Sequence, residues 1–255
     1  MASTVAARDE SDVSEAVLPE LEIREFRAED SHDVKEFCLN ILMQRTRLSN
    51  QYVYRSSIWL GIYLSAIAWA TRIIEPWVRG EWGRWAFLCC AVSALFLVGV
   101  DYFTFFYYER LTTKAHKEDG FLQNPATFVN SKMGKCWVAF YNEGLVGCIV
   151  VKRTSTKSAN AEITHWYVRA RYRDKGLGGD LLQKALQYCT ETKCSNLTAR
   201  TATINTRANK TLKKTGFEKT STKPDSNVYW RMLRMKKFTW GLDPQSFSPK
   251  SEIRQ

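Results

Sequence analysis

EITHWYVRARYRDKGLGGDLL, residues 162–182, runs from an apolar strand ending at Val168, through a basic turn with three glycines, into a helix. The helix is read from Leu181, Leu182, Ala185, Leu186 and Cys189, which recur at helical spacing. Gly176, Gly178 and Gly179 have no side chains, so their amides can close around an anion at the positive helix start. Arg171, Arg173 and Lys175 add mobile positive charge to the same turn. A strand, a glycine turn and a helix start suit a pyrophosphate. A plain basic strand-to-helix turn has the same sequence, because glycine turns alone are a weak signal.

In Arg173-x-x-Gly176-x-Gly178, placed after a strand ending in Val168, the chain resembles the acetyl-CoA-binding motif of the GNAT acetyltransferases. A second stretch, NTRANKTLKKTGFEK at residues 205–219, is similar to a later helix of that family, with Asn205, Ala208, Gly216 and Phe217 in register. The resemblance covers Leu21 to Arg55 and Gly120 to Lys237. It implies an α/β, GNAT acyl-CoA N-acyltransferase fold, a mixed sheet with flanking helices. It also implies acetyl-CoA as cosubstrate, an amine as acceptor, and backbone of Val168 and Ala170 against the pantetheine arm. Asn205 and Asn209 either hydrogen-bond that cofactor or cap and solvate their helix.

A net charge of +11 and a pI near 9.3 suit an acidic cofactor, anionic lipid or acidic partners. Nucleic acid is not expected, because the basic residues are scattered and the tryptophans sit near apolar runs. The seven cysteines are odd in number and irregularly spaced, without a CxxC pair, so neither a metal site nor a disulfide framework is expected. The acidic residues 1–20 have no apolar core; they read as disordered and not as a cleavable signal peptide.

Residues 21–55 read as the first strand, Glu22 to Arg27, and a helix capped by Asp30 or Ser31 with Val34, Phe37, Cys38, Ile41 and Leu42 inside. The pattern then breaks. Ser57 to Ala70 is uncharged, and Trp85 to Tyr108 is a second, longer apolar run; Pro76, Gly80 and Gly83 make a turn between them. The expectation is a two-helix transmembrane hairpin over residues 56–108 that interrupts the fold, with Trp77, Trp82 and Trp85 at the membrane–water interface. Two buried core helices are the alternative, but neither run has a polar face. Asp101 is read at headgroup depth.

Residues 109–240 carry the main domain. A short helix and loop are expected over residues 111–135, then a hairpin turning at Asn142-Glu143-Gly144. That hairpin (WVA at 137–139, Gly144-x-Val146-Gly147) beside a membrane segment resembles the camello-like branch of the family. A closing hairpin of Phe217–Thr222 and Val228–Met235 is expected, then a polar tail over residues 241–255.

Direct acetyl transfer from a thioester to an amine needs a base, an oxyanion donor and an acid for the departing thiolate, and no covalent enzyme intermediate. Glu162 and His165 are the base candidates; strand alternation sets them on opposite faces unless the strand is bulged. His165 has the better intrinsic pKa for neutrality and is preferred. The tyrosine that the family often uses as acid is Leu212 here, so Tyr167, Tyr172 or water is left for that role. The resulting expectation is a membrane-anchored N-acetyltransferase acting on a small-molecule amine such as a cysteine conjugate, or on a protein amine. It is expected in the endoplasmic reticulum with a cytosolic catalytic domain. An acyl-CoA-binding membrane protein with weak or no activity is the alternative; two spans and one aspartate make no transporter path.

Overall fold

The computed structural model describes residues 21–78, 82–131, 134–142, 144–153 and 160–246. The acidic N-terminal segment, Gly80 in the expected turn, Glu143 of the hairpin turn and most of the polar tail lie outside the described residues.

Seven strands form one sheet in the order β1-β2-β3-β4-β5-β7-β6. They are β1 (Leu21–Glu25), β2 (Gly134–Tyr141), β3 (Gly144–Arg153), β4 (Asn160–Val168), β5 (Asn196–Ala202), β6 (Glu218–Pro224) and β7 (Lys236–Leu242). Every pairing is antiparallel except β4 with β5, so the sheet is mixed as expected. The parallel pair is joined by the crossover helix α6 (Leu177–Glu191), whose Leu181, Leu182, Ala185, Leu186 and Cys189 are all buried. They pack on Ile149, Val151, Ala161 and Ile163 of one sheet face.

The opposite face is covered by α1 (Ser31–Tyr54), whose Val34, Phe37, Cys38, Ile41 and Leu42 are buried against Cys136, Val138, Cys148 and Val150. Two short helices, α4 (Gly120–Gln123) and α5 (Pro125–Asn130), complete that layer. The start of α1 is held differently from a simple cap. Asp30 makes no cap hydrogen bond to the helix; it receives two from the Arg24 guanidinium at 2.7 and 2.8 Å and one from the Arg27 amide at 2.8 Å. Burial alone would raise the Asp30 pKa, but these three donors hold it below the ordinary aspartate value. A folded pKa below the unfolded one means stability that is complete above about pH 4 and lost as pH falls through the folded value. Asp30→Asn should therefore cost about 1–3 kcal/mol at neutral pH and flatten the loss of stability below pH 4, measured by denaturant unfolding at a series of pH values.

Two further helices follow α1: α2 (Ser57–Val78) and α3 (Trp82–Glu118). Among the described residues only α3 is long and apolar enough to cross a membrane; the apolar part of α2, Ser57–Ile73, is shorter. The expected end at Tyr108, and the loop after it, are not found, because α3 continues unbroken to Glu118. No glycine or proline occurs between Val100 and Asp119 to stop it. At 1.5 Å per residue α3 is about 55 Å long, well beyond the ~30 Å of a bilayer core. Its second half instead packs on the domain: Ser49 and Tyr108 share a hydrogen bond of 2.6 Å, and the Asn50 amide donates to Asp101. Asp101 is thus tied to α1.

The closing hairpin also differs. Val228–Met232 is a helix, α8, after the helix α7 (Thr206–Lys214), and the last strand begins only at Lys236. Asn227 caps α8 by accepting from the Tyr229 amide at 2.9 Å. Trp230 and Leu233 then fall on one side and are buried with Val53, Val100 and Tyr108. The first strand ends at Glu25, two residues earlier than expected. Past Trp240 the chain stays packed to Pro244, whose carbonyl accepts from Thr190 on α6 at 3.3 Å.

Candidate active site

β4 and β5 are paired only from Asn160 to Ile163 against Asn196 to Ala199. Beyond that point β4 runs on to Val168 without β5, and β5 continues to Ala202 paired on its other side with β7. The β5-facing backbone groups of Thr164 to Val168 are consequently free of a ladder partner in β5. A bulge sits at the same place. Val151 of β3 faces Ile163 while Val150 faces His165, so Thr164 is the extra residue on β4.

The bulge reverses the alternation that would otherwise separate the two base candidates. Ile163 packs in the core beneath α6, whereas His165 lies with Tyr167 and Phe121 on the α1 side. Glu162, on the side opposite Ile163, therefore shares a face with His165. Their surroundings differ. Glu162 is partly exposed and paired with Arg200 at 3.0 Å. His165 is 4% exposed, with Nε2 at 3.3 Å from Asp119 Oδ2 and Nδ1 at 3.1 Å from Thr164 Oγ1. Asp119 sits between α3 and α4, and its other oxygen accepts from the Phe121 amide at 3.0 Å. Burial would raise its pKa, but the hydrogen bond and charge of His165, with the Phe121 and Leu122 amides, hold it below the ordinary value. Asp119 thus stays a carboxylate through the neutral range.

Thr164 and Asp119 also line a cavity of about 420 Å³ with Lys114, Glu118, Phe128 and Lys152. Neither residue stands out in the sequence. Asp119 is marked only by the Asp-Gly pair that ends a helix, and Thr164 only by its place beside His165.

The glycine turn lies at the other end of the free β4 edge. Gly176 has φ 92° and caps α6, a left-handed conformation that favours glycine. Of the first-turn amides, that of Gly179 already donates to the Gly176 carbonyl at 2.7 Å; those of Leu177 and Gly178 lie ahead of it at the positive helix start. Arg173 donates from Nε to the Val168 carbonyl at 2.8 Å, which fixes the turn to the strand end. Trp166 donates from its ring nitrogen to the Gly178 carbonyl at 3.1 Å. Burial, then the charges of Arg207 and Arg45, push the Arg173 pKa down from its usual value; a guanidinium remains charged all the same. Three cations close to one another, with Asp174 already paired to Arg207 at 2.9 Å, leave a positive spot at the helix start. Arg171 and Lys175 are exposed beside it, and Ala170 lies in the one-turn 3-10 helix after β4.

A side chain at Gly178 would point back at Trp166 and Val168, with a Cβ at 3.7–3.8 Å from them, whereas one at Gly179 meets nothing within 4 Å. An alanine methyl at Gly178 would make ordinary contact with Trp166 and Val168 and a larger side chain would be directed at them, whereas Gly179 faces open space. Asn209 is occupied structurally. It accepts from Thr201 at 2.6 Å and donates to the Ala202 carbonyl at 3.1 Å, which ties α7 to the end of β5. Asn205 stands at the N-cap of α7 without a side-chain cap bond. Of the acid candidates, Tyr167 is buried and its pKa is pushed up to about 12, by burial first. Tyr172 is partly exposed and lies tilted against Tyr141, with ring centroids 5.4 Å apart. Leu212 is fully buried in the core beneath α6. Among the described residues no group of His, Cys, Asp or Glu is placed to hold a metal.

Residues 100–217 match the family model described as the acetyltransferase (GNAT) family. The matched segment, a little under half of the chain, contains the free β4 edge, the glycine turn and α7. No curated protein matches the chain by sequence. Solved structures to which it is similar include an IAA acetyltransferase from Bacillus cereus, at 20% identity, 47% of this chain, 82% of that one and a TM-score of 0.40. The ribosomal-protein-S18-alanine N-acetyltransferase from Escherichia coli matches at 14% identity, 50% and 81% coverage and a TM-score of 0.40. A GNAT family acetyltransferase from Elizabethkingia anophelis with acetyl-CoA bound matches at 18% identity, 46% and 79% coverage and a TM-score of 0.37.

Proposed function

We propose that this chain is a membrane-anchored N-acetyltransferase that moves the acetyl group of acetyl-CoA directly to an amine. The observation that carries this reading is the single open edge of β4, with a cationic glycine turn at one end and a buried, oriented histidine about 10 Å from Val168 along the strand. The pyrophosphate would lie on the first-turn amides of α6 with Arg173, and the pantetheine arm along Val168. His165 takes the amine proton as the nitrogen attacks the thioester carbon, and Tyr167, Tyr172 or water protonates the leaving thiolate. The acceptor is a small amine or a protein amine.

Membrane anchoring rests on α2 and the first half of α3, where Leu64, Trp69, Phe87, Leu95 and Val98 are each at least half exposed. Apolar surface on that scale marks a lipid or partner contact. Both helices together act as the hairpin, with Arg45, Arg47, Arg55, Arg110, Lys114 and Lys117 flanking the two apolar runs in the sequence and outnumbering Arg72, Arg79 and Arg84 between them. Positive residues favour the cytosol, so the domain faces the cytosol from the endoplasmic reticulum membrane. The consensus acceptors Asn196-Leu-Thr198 and Asn209-Lys-Thr211 then never meet the glycosylation machinery.

A second reading, an acyl-CoA-binding membrane protein without turnover, is favoured by one observation: Leu212 occupies the usual tyrosine position and is core. Amine-dependent release of free CoA from acetyl-CoA is expected of the purified full chain, tested on alkylamines, amino acids and lysine peptides. Binding of CoA without release over that panel would support the second reading. In sealed microsomes the domain should resist alkaline extraction and be digested by added protease. A protected, endoglycosidase-sensitive domain would reverse the orientation.

A further inference from the structure

We propose that Thr164 carries the acceptor's proton to His165, with Asp119 as the positioning residue that fixes the imidazole tautomer. This rests on the reading of His165 as the base. At 4% exposure His165 has no open path to an acceptor, and both ring nitrogens already face a partner. Asp119 Oδ1 is held by the Phe121 amide, which leaves Oδ2 for the ring. A carboxylate only accepts, so Nε2 carries the hydrogen and Nδ1 keeps its lone pair. That lone pair faces the Thr164 hydroxyl at 3.1 Å. The competing acceptor for the hydroxyl, the Val150 carbonyl, is farther away at 3.5 Å.

Thr164 is the bulged residue, the first past the paired part of β4 and β5, and it is exposed on the cavity shared with Lys114, Glu118 and Lys152. It therefore borders a cavity large enough to admit an amine while its hydroxyl touches the base. In the step, the amine lone pair forms the new C–N bond, and the C–S bond breaks with its electron pair leaving on the CoA sulfur. The amine proton passes to Thr164 Oγ1 as the Thr164 proton passes to His165 Nδ1. The imidazolium so formed is stabilised by Asp119 and returns its proton to the thiolate or to solvent. Atoms and charge balance without a further reactant.

The test uses the full chain in detergent, with acetyl-CoA and whichever of an alkylamine, an amino acid or a lysine peptide it acetylates fastest. Thr164→Val should lower kcat at least about tenfold with the KM for acetyl-CoA unchanged, and Thr164→Ser should recover most of the rate. Independently of activity, 15N spectra of histidine-labelled protein, taken where the ring is neutral, should show His165 protonated at Nε2. Asp119→Asn, whose amide can donate, should move that proton to Nδ1. A wild-type Nδ1–H tautomer, or a Thr164→Val enzyme at the wild-type rate, would overturn the relay. Equal losses in Thr164→Val and Thr164→Ser would also overturn it, as a packing effect. His165→Ala at the wild-type rate would remove the base itself; His165→Ala crippled beside an unaffected Thr164→Val would remove the relay alone.

Discussion

Arg173→Glu should abolish coenzyme A binding while the protein stays folded and membrane-bound. The side chain is half-buried at the start of α6, close to Arg207 and Arg45, and its Nε is bound to the Val168 carbonyl. A charge-assisted hydrogen bond to phosphate contributes about 1.5–3 kcal/mol, and reversal of the charge adds repulsion to its loss. At about 1.4 kcal/mol per tenfold, the affinity should fall by roughly two orders of magnitude or more, read by calorimetry with CoA. A steric companion separates ligand from fold. Leucine at Gly179 has no protein atom within 4 Å of its Cβ, so the chain itself tolerates it. Loss of CoA affinity there would come from the ligand's space. Gly178 is a poorer probe than the sequence suggests, because any side chain larger than alanine presses on Trp166. Unchanged CoA affinity in both Arg173→Glu and Gly179→Leu would remove the pyrophosphate from this turn.

His165→Ala should reduce turnover by about two orders of magnitude with CoA affinity retained, the usual range for a general base. The reason to separate the two readouts is positional. His165 lies on the α1 face of β4, while the phosphate cradle lies at the α6 start beyond Val168. Glu162→Gln is the comparison, since the bulge brings both residues to one face. Glu162 is at the paired start of β4, held by Arg200 at the sheet surface, and its loss should be mild. If the glutamine variant is crippled and the alanine variant is not, Glu162 is the base and His165 is a core histidine.

Much of this was legible in the chain. The period of Leu181, Leu182, Ala185, Leu186 and Cys189 specified α6, and Gly176 before it marked one of the turn's two left-handed positions, the other being Asp174. Those signals are local: a helix face and a φ above zero are properties of a few neighbouring residues. The same holds for the apolar runs that became α2 and α3. What the sequence could not say was where α3 stops mattering to the membrane. Its length beyond a bilayer and its contacts with Ser49 and Asn50 come from packing against α1, about 50 residues away in the chain. The helix at Val228–Met232 was hidden for a like reason. Its β-branched and aromatic residues suit a strand, and burial of Trp230 among Val53, Val100 and Tyr108 decided otherwise. At the site, residue types located the glycine turn and both base candidates. Tertiary structure alone placed a bulge at Thr164, which turned Glu162 and His165 to one face, and brought Asp119 from the end of α3 to the imidazole. A bulge depends on the register of the neighbouring strand, and a carboxylate 46 positions away on another element leaves no periodic trace.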